Sequence, residues 1–224
     1  MPVDSIVDLR HLFGNARNQG KRPTCLAFAV SDAHAAIRGA WAALSCEFIF
    51  CKAQERGKKP PTQGATLTHI LEALRHDGQP EEVGWPYLAL PPDHATWAPP
   101  AEVGTLYRRD GGKIPLGALV NTLDQGRPVI LLSYLSDSFY APSAEAVISP
   151  AANENADPLR RHAVIAVGHG TWNGERVVLV RNSWGAGWGD QGYGWLTETF
   201  LAPRLFAAAV LTENSNVPGN TLAA

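Results

Sequence analysis

The sequence predicts an α+β fold in two lobes, helical first and mainly β afterwards. Apolar residues recur at helical spacing in three segments before residue 80, each bounded by a cap or a breaker. Beyond residue 115 they gather in short strand-like runs, without the strand–helix alternation of a parallel α/β protein. We place a mainly helical lobe at 1–110 and a mainly β lobe at 111–213 within one domain, with 214–224 as a tail.

Composition narrows the function classes. The 224 residues are 45% hydrophobic and 18% charged, with a formal net charge of −2. That balance and the short Lys/Arg clusters argue against nucleic acid as a partner. No apolar run reaches membrane-spanning length. Three cysteines, Cys25, Cys46 and Cys51, with no CxxC pair fit a reducing compartment. The start Met1-Pro2-Val3-Asp4-Ser5 shows no signal peptide. The expected location is cytoplasmic, with export by a route that needs no cleavable signal left open.

In chain order, residues 1–24 read as an extended arm. Thr24 is the expected N-cap of a helix over 25–43, apolar nearly all round and therefore central. His34 on it reads as structural, near the wetter side. Ser45 opens a second helix over 46–56, stopped by Gly57 and Pro60-Pro61. Cys46 and Cys51 share no face there, so core packing is expected and metal binding is not. Thr66 opens a third helix, which ends at Asp77-Gly78. The proline-rich stretch 79–114 reads as an irregular connector. Pro115 at N1 and Gly126 at C′ bracket a short helix. Strands are expected over 128–134, 162–168, 176–182, 193–197 and 205–211, with 136–160 as loop.

One stretch carries chemistry. Cys25 sits at the positive end of its helix, where a thiolate is stabilised. Nucleophilic catalysis by Cys needs a base, a group to orient that base, and oxyanion donors. His162 begins one strand, Asn182 ends the next, and Gln19 precedes Cys25 at the turn. A tight turn at Asn173-Gly174 leaves His162 and Asn182 three residues out of direct register. The spacing therefore predicts a wider loop, about 170–174, or a bulge.

Gln19 with Cys25-Leu26-Ala27-Phe28, His162-Ala163-Val164 running to Gly170, and Arg181-Asn182-Ser183-Trp184-Gly185 with Trp188-Gly189 resemble the papain family of cysteine peptidases. Gln63-Gly64 and Trp85-Pro86-Tyr87 fit the same pattern, so the resemblance spans nearly the whole chain. It implies a papain-like fold, with a helical lobe, an antiparallel β-barrel-like lobe and the active site in the cleft between them. It implies Cys25 as nucleophile, His162 as base and then acid, Asn182 as orienter, and Gln19 as oxyanion donor. It makes Trp184 a shield for the Asn–His bond and sets Gln63, Gly64, Arg161 and Trp184 along the substrate. No metal or cofactor is implied.

The match departs in places. Arg22 stands where relatives carry a disulfide cysteine and Leu26 where they carry tryptophan, as in a bacterial-type member, so Pro23 is expected to stiffen the turn. Arg160-Arg161 before His162 would disfavour the imidazolium, and Arg161 would favour an acidic substrate. No inhibitory pro-segment precedes Val7, so restraint is expected from a partner or from residues 136–160 as a lid.

The leading function is a thiol peptidase, a hydrolase acting on peptide or protein substrates. The alternatives are an acyltransferase or amidase with the same triad, and a non-catalytic binding module. The glycines of 185–194 lack the Lys-Ser/Thr and following helix of a phosphate cradle.

Overall fold

The structure, a computed structural model, describes residues 2–212; the expected tail, 214–224, lies outside the described residues.

Ser45 and Thr66 open helices as their side chains predict. Ser45 Oγ accepts from the Phe48 amide, and Thr66 Oγ1 from the His69 amide. The helices they open are α2 (Cys46–Gly57) and α3 (Leu67–His76). The first helix, α1, runs Cys25–Ala36 and stops short of the predicted 43. Gly39, at φ +89°, takes the chain out of helical geometry three residues later. Thr24 does not cap it. Its backbone lies at φ −108°, ψ 11° rather than extended, and its hydroxyl bonds the Tyr87 hydroxyl at 2.8 Å instead.

The strands are β1 (Asp4–Asp8), β2 (Gly111–Ile114), β3 (Val129–Leu135), β4 (Val147–Ile148), β5 (Asp157–Trp172), β6 (Glu175–Arg181), β7 (Tyr193–Thr197) and β8 (Leu205–Leu211). They form one sheet in the order β2-β8-β3-β5-β6-β7-β4, with β1 paired to β5 and the path open at both ends. Every pairing is antiparallel except β4 with β7. Two strands come from stretches read as arm and connector. β1 lies against Gly168 and Gly170, where a Cβ would stand 2.2 Å from the Val7 and Asp4 carbonyl oxygens. Only glycine admits the arm there.

Pro115 is extended and precedes a 3-10 turn, Leu116–Ala118, ahead of the short helix α4 (Leu119–Asp124); Gly126 ends it at φ +73°. Residues 136–160 are more built than the loop expected. Phe139 is fully buried in a 3-10 turn, β4 joins the sheet, and the Glu154 carboxylate accepts from the Ser138 and Ala151 amides.

One core joins helices and sheet. Leu26, Ala29, Val30 and Ala33 of α1 pack with Val164–Val167 of β5. Residues 162–170 are buried throughout, as a central strand covered on both faces requires. The connector is anchored by Trp85 and Trp97, packed on Phe48 and Cys51 of α2. The start of α1 and the middle of β5 thereby face one cleft.

Candidate active site

His162 and Asn182 meet because of one extra residue. The β5–β6 hairpin closes tightly, with Trp172 opposite Glu175 and Asn173 and Gly174 both at positive φ. The wider loop expected from the spacing is therefore absent, and the expected bulge is present. Left unbroken, that register would set Asn182 opposite Ile165, on the face away from His162. A bulge at Val167 shifts the pairing to Ile165 opposite Arg181. Continued one step, Asn182 falls opposite Val164, on the same face as His162 and diagonal to it. The side chains close that diagonal: His162 Nε2 lies 2.7 Å from Asn182 Oδ1.

The geometry selects a tautomer. Asn182 Oδ1 also accepts from the Ser183 amide at 2.8 Å, so it is an oxygen and His162 Nε2 carries the hydrogen. Nδ1 is then the free lone pair. Trp184 covers the imidazole at 4.8 Å between ring centroids, and Phe139 meets both rings edge-on. Trp188 donates from Nε1 to the Phe139 carbonyl and holds that ring in place.

Cys25 is half-buried at the start of α1, whereas Cys46 and Cys51 are buried; all three thiols are free. Burial pushes the Cys25 thiol up, against the pull of the Ala163, Leu26 and Cys25 backbone amides. Burial also lowers His162, to about 4, while the Asn182 bond opposes the shift. The adjacent arginines are not the cause, contrary to the expectation from Arg160-Arg161. Arg160 is paired with Asp137 and Asp157, and the Arg161 guanidinium lies over the Tyr134 ring at 5.8 Å.

Gln19 is held at both ends of its amide. Nε2 donates to the Arg22 carbonyl at 2.8 Å, and Oε1 accepts from Ser183 Oγ at 2.6 Å. One amide hydrogen is left for a ligand. The Tyr87 hydroxyl donates to the Gln19 carbonyl, so the connector braces this turn. Arg22 braces it further through a two-toothed pair with Glu47 of α2, at 2.6 and 3.0 Å. Behind the site, Asp32 of α1 takes Arg181 Nε at 2.8 Å, tying the helix that begins at Cys25 to the strand that precedes Asn182.

Cys25, Gln19, His162, Trp184, Gly64 and Arg161 line one cleft of about 850 Å³. Asn182 lies behind it, nearly inaccessible. Gln63 stands outside the walls, its carbonyl taken by Gln54 Nε2. Among the described residues no group of three His, Cys, Asp or Glu side chains is placed to hold a metal ion.

Residues 4–200 match the family described as papain family cysteine protease. The chain belongs to that family. This papain-family chain is 26% identical over 193 residues to a cysteine protease of Blomia tropicalis, covering 80% of this chain and 56% of that one. It is likewise 26% identical over 189 residues to cathepsin S of Rattus norvegicus, covering 80% and 55%. It thus spans about half the length of the curated relatives it matches. Among solved structures it superposes on xylellain, a cysteine protease from Xylella fastidiosa, with a TM-score of 0.74 at 22% identity, covering 93% of this chain and 86% of that one. The papain-like α+β fold expected from the sequence is the one observed.

Sequence reasoning missed Phe139, Ser183 and the Ala163 amide. Phe139 lay in a run without periodicity, and the other two act only through tertiary neighbours. Tyr87 stood inside a noted motif, but no local signal pointed it at Gln19.

Proposed function

We propose that the chain is a thiol peptidase that opens peptide bonds through a Cys25 acyl-enzyme. The observation that carries this reading is the 2.7 Å bond from His162 to Asn182 in a cleft shared with Cys25. Burial favours the neutral thiol and neutral imidazole. His162 Nδ1 takes the thiol proton as sulfur attacks the substrate carbonyl, forming a C–S bond and an oxyanion. Gln19 and the Cys25 amide receive that oxyanion. As the C–N bond breaks, His162 returns the proton to the leaving amine. Water, deprotonated by His162, then splits the thioester to acid and thiol. Asn182 holds the ring, and Trp184 with Phe139 keeps the bond between them dry.

An extended peptide would run past Gly64 on one wall and Arg161 on the other, with Gln63 beyond the rim. Restraint by an inhibitory partner belongs to the same reading; the lid expected over 136–160 has less support, because Phe139, β4 and the bonds of Glu154 to Ser138 and Ala151 pin that segment. Three free thiols support a reducing, cytoplasmic setting, and no described helix is long and apolar enough to cross a membrane.

A peptidyl epoxide located by mass spectrometry tests the reading. Cys25 should be alkylated while buried Cys46 and Cys51 are spared, and unlabelled protein should hydrolyse peptides. Folded protein that resists the epoxide at Cys25 overturns it. Adding amine acceptors to the peptide assay separates hydrolysis from acyl transfer, which shares the first step.

A further inference from the structure

The cleft has one sign of charge. Six Lys and Arg residues line it, Lys21, Arg22, Lys59, Lys113, Arg160 and Arg161, and no aspartate or glutamate does. Two of the six are neutralised: Arg22 by Glu47, and Arg160 by Asp137 and Asp157. The other four make no ion pair with any described residue. Lys21 and Lys59 stand on the side of the Cys25 turn and α2; Lys113 and Arg161 stand on β2 and β5 across from them. Lys21, Lys113 and Arg161 are exposed and Lys59 is half-buried, its Nζ resting 3.4 Å from the Gly64 carbonyl.

This distribution runs against the chain as a whole, which carries 19 Lys and Arg against 21 Asp and Glu. A general excess of positive charge therefore does not explain it. Unpaired cations facing each other across a concave, partly apolar cleft focus their potential into it. Leu26, Leu67, Leu132 and Leu135 supply the apolar surface. A peptide that alternates acidic and aliphatic side chains meets both features at once, and a polyanion without aliphatic groups meets only the first.

We propose that the cleft selects acidic peptide segments, with Lys21 and Lys59 on one wall and Lys113 and Arg161 on the other as the residues that set this preference. The proposal names the substrate class of the peptidase reading above and rests on it. Binding can be measured apart from catalysis.

The test uses a Cys25→Ala variant and a fluorescent peptide of alternating Glu and Leu, against the same peptide with Gln for Glu. Fluorescence anisotropy should give at least about tenfold tighter binding of the Glu peptide at about 50 mM salt, shrinking severalfold at about 500 mM, where charges are screened within a few ångströms. Lys113→Glu and Lys21→Glu in the same background should each erase most of the difference, with an unchanged thermal midpoint because neither lysine makes an ion pair. Equal affinity for the two peptides, or a preference that ignores salt, overturns the proposal. Tight binding of a short DNA oligonucleotide in preference to the Glu peptide also overturns it. Epoxide labelling of the unmutated chain reads the catalytic proposal separately, so failure of one is distinct from failure of the other.

Discussion

Arg22 and Glu47, both with fully buried side chains, join through two hydrogen bonds, Nη1 to Oε2 at 2.6 Å and Nη2 to Oε1 at 3.0 Å. Arg22 also donates to the Leu88 carbonyl, and Glu47 accepts from Trp97 Nε1 and the Leu88 amide. The pair ties the turn before Cys25 to α2 and to the connector. Arg22 stands at the position where the family resemblance implies a disulfide cysteine, and the pair adds a brace to the turn that Pro23 is expected to stiffen. Removing one partner leaves an uncompensated buried charge, so Glu47→Gln should cost about 3–5 kcal/mol in urea unfolding. Arg22→Met combined with Glu47→Gln should cost clearly less than the two single changes summed. Additive losses would show that the residues act separately.

Gln19 should act on turnover rather than on binding. Its amide is fixed by Arg22 and Ser183 with one hydrogen free, the arrangement of a donor to developing negative charge. Gln19→Ala should lower kcat by about 10²–10³, as loss of an oxyanion donor does, with KM within about twofold. Steady-state kinetics on one peptide checks this; a loss confined to KM contradicts the role.

Asn182 leaves His162 low, at about 4, because burial outweighs its neutral hydrogen bond. A carboxylate in its place favours the imidazolium. Asn182→Asp should therefore move the acid limb of kcat/KM to higher pH, since His162 must be neutral to take the thiol proton. An unmoved limb in the pH–rate profile would detach that limb from His162.

His34 is fully buried on α1, not on a wetter side, with Nδ1 3.3 Å from Gln79 Oε1. Burial lowers it to about 3, as it lowers His162 to about 4. Both folded values lie below the ordinary 6.5, so the unfolded chain binds more protons in between. Their contribution to stability is complete above pH 6.5 and is lost as pH falls towards 4 and then 3. The urea midpoint should drop between pH 7 and pH 5, a window above the ordinary carboxylate range. His34→Gln should flatten that drop, and an equal slope in the variant would exclude His34 as a source.

By itself the sequence determined what is local. The caps at Ser45 and Thr66, the stop at Gly126 and the strands around His162 and Asn182 follow from side chains acting on their own backbone within a few residues. Cys25, His162, Asn182 and Gln19 were legible as candidates for the same reason: each stands beside a distinctive local pattern. Tertiary structure alone decided how those pieces meet. β1 and β2 are short strands whose pairing depends on β5 and β8, and Thr24 gave its hydroxyl to Tyr87 instead of its helix. The bulge at Val167 settled which face Asn182 shares with His162. Phe139, the Arg22–Glu47 pair and the cationic walls of the cleft came together from distant segments. Pairing, burial and charge focusing depend on neighbours in space, which spacing along the chain does not encode.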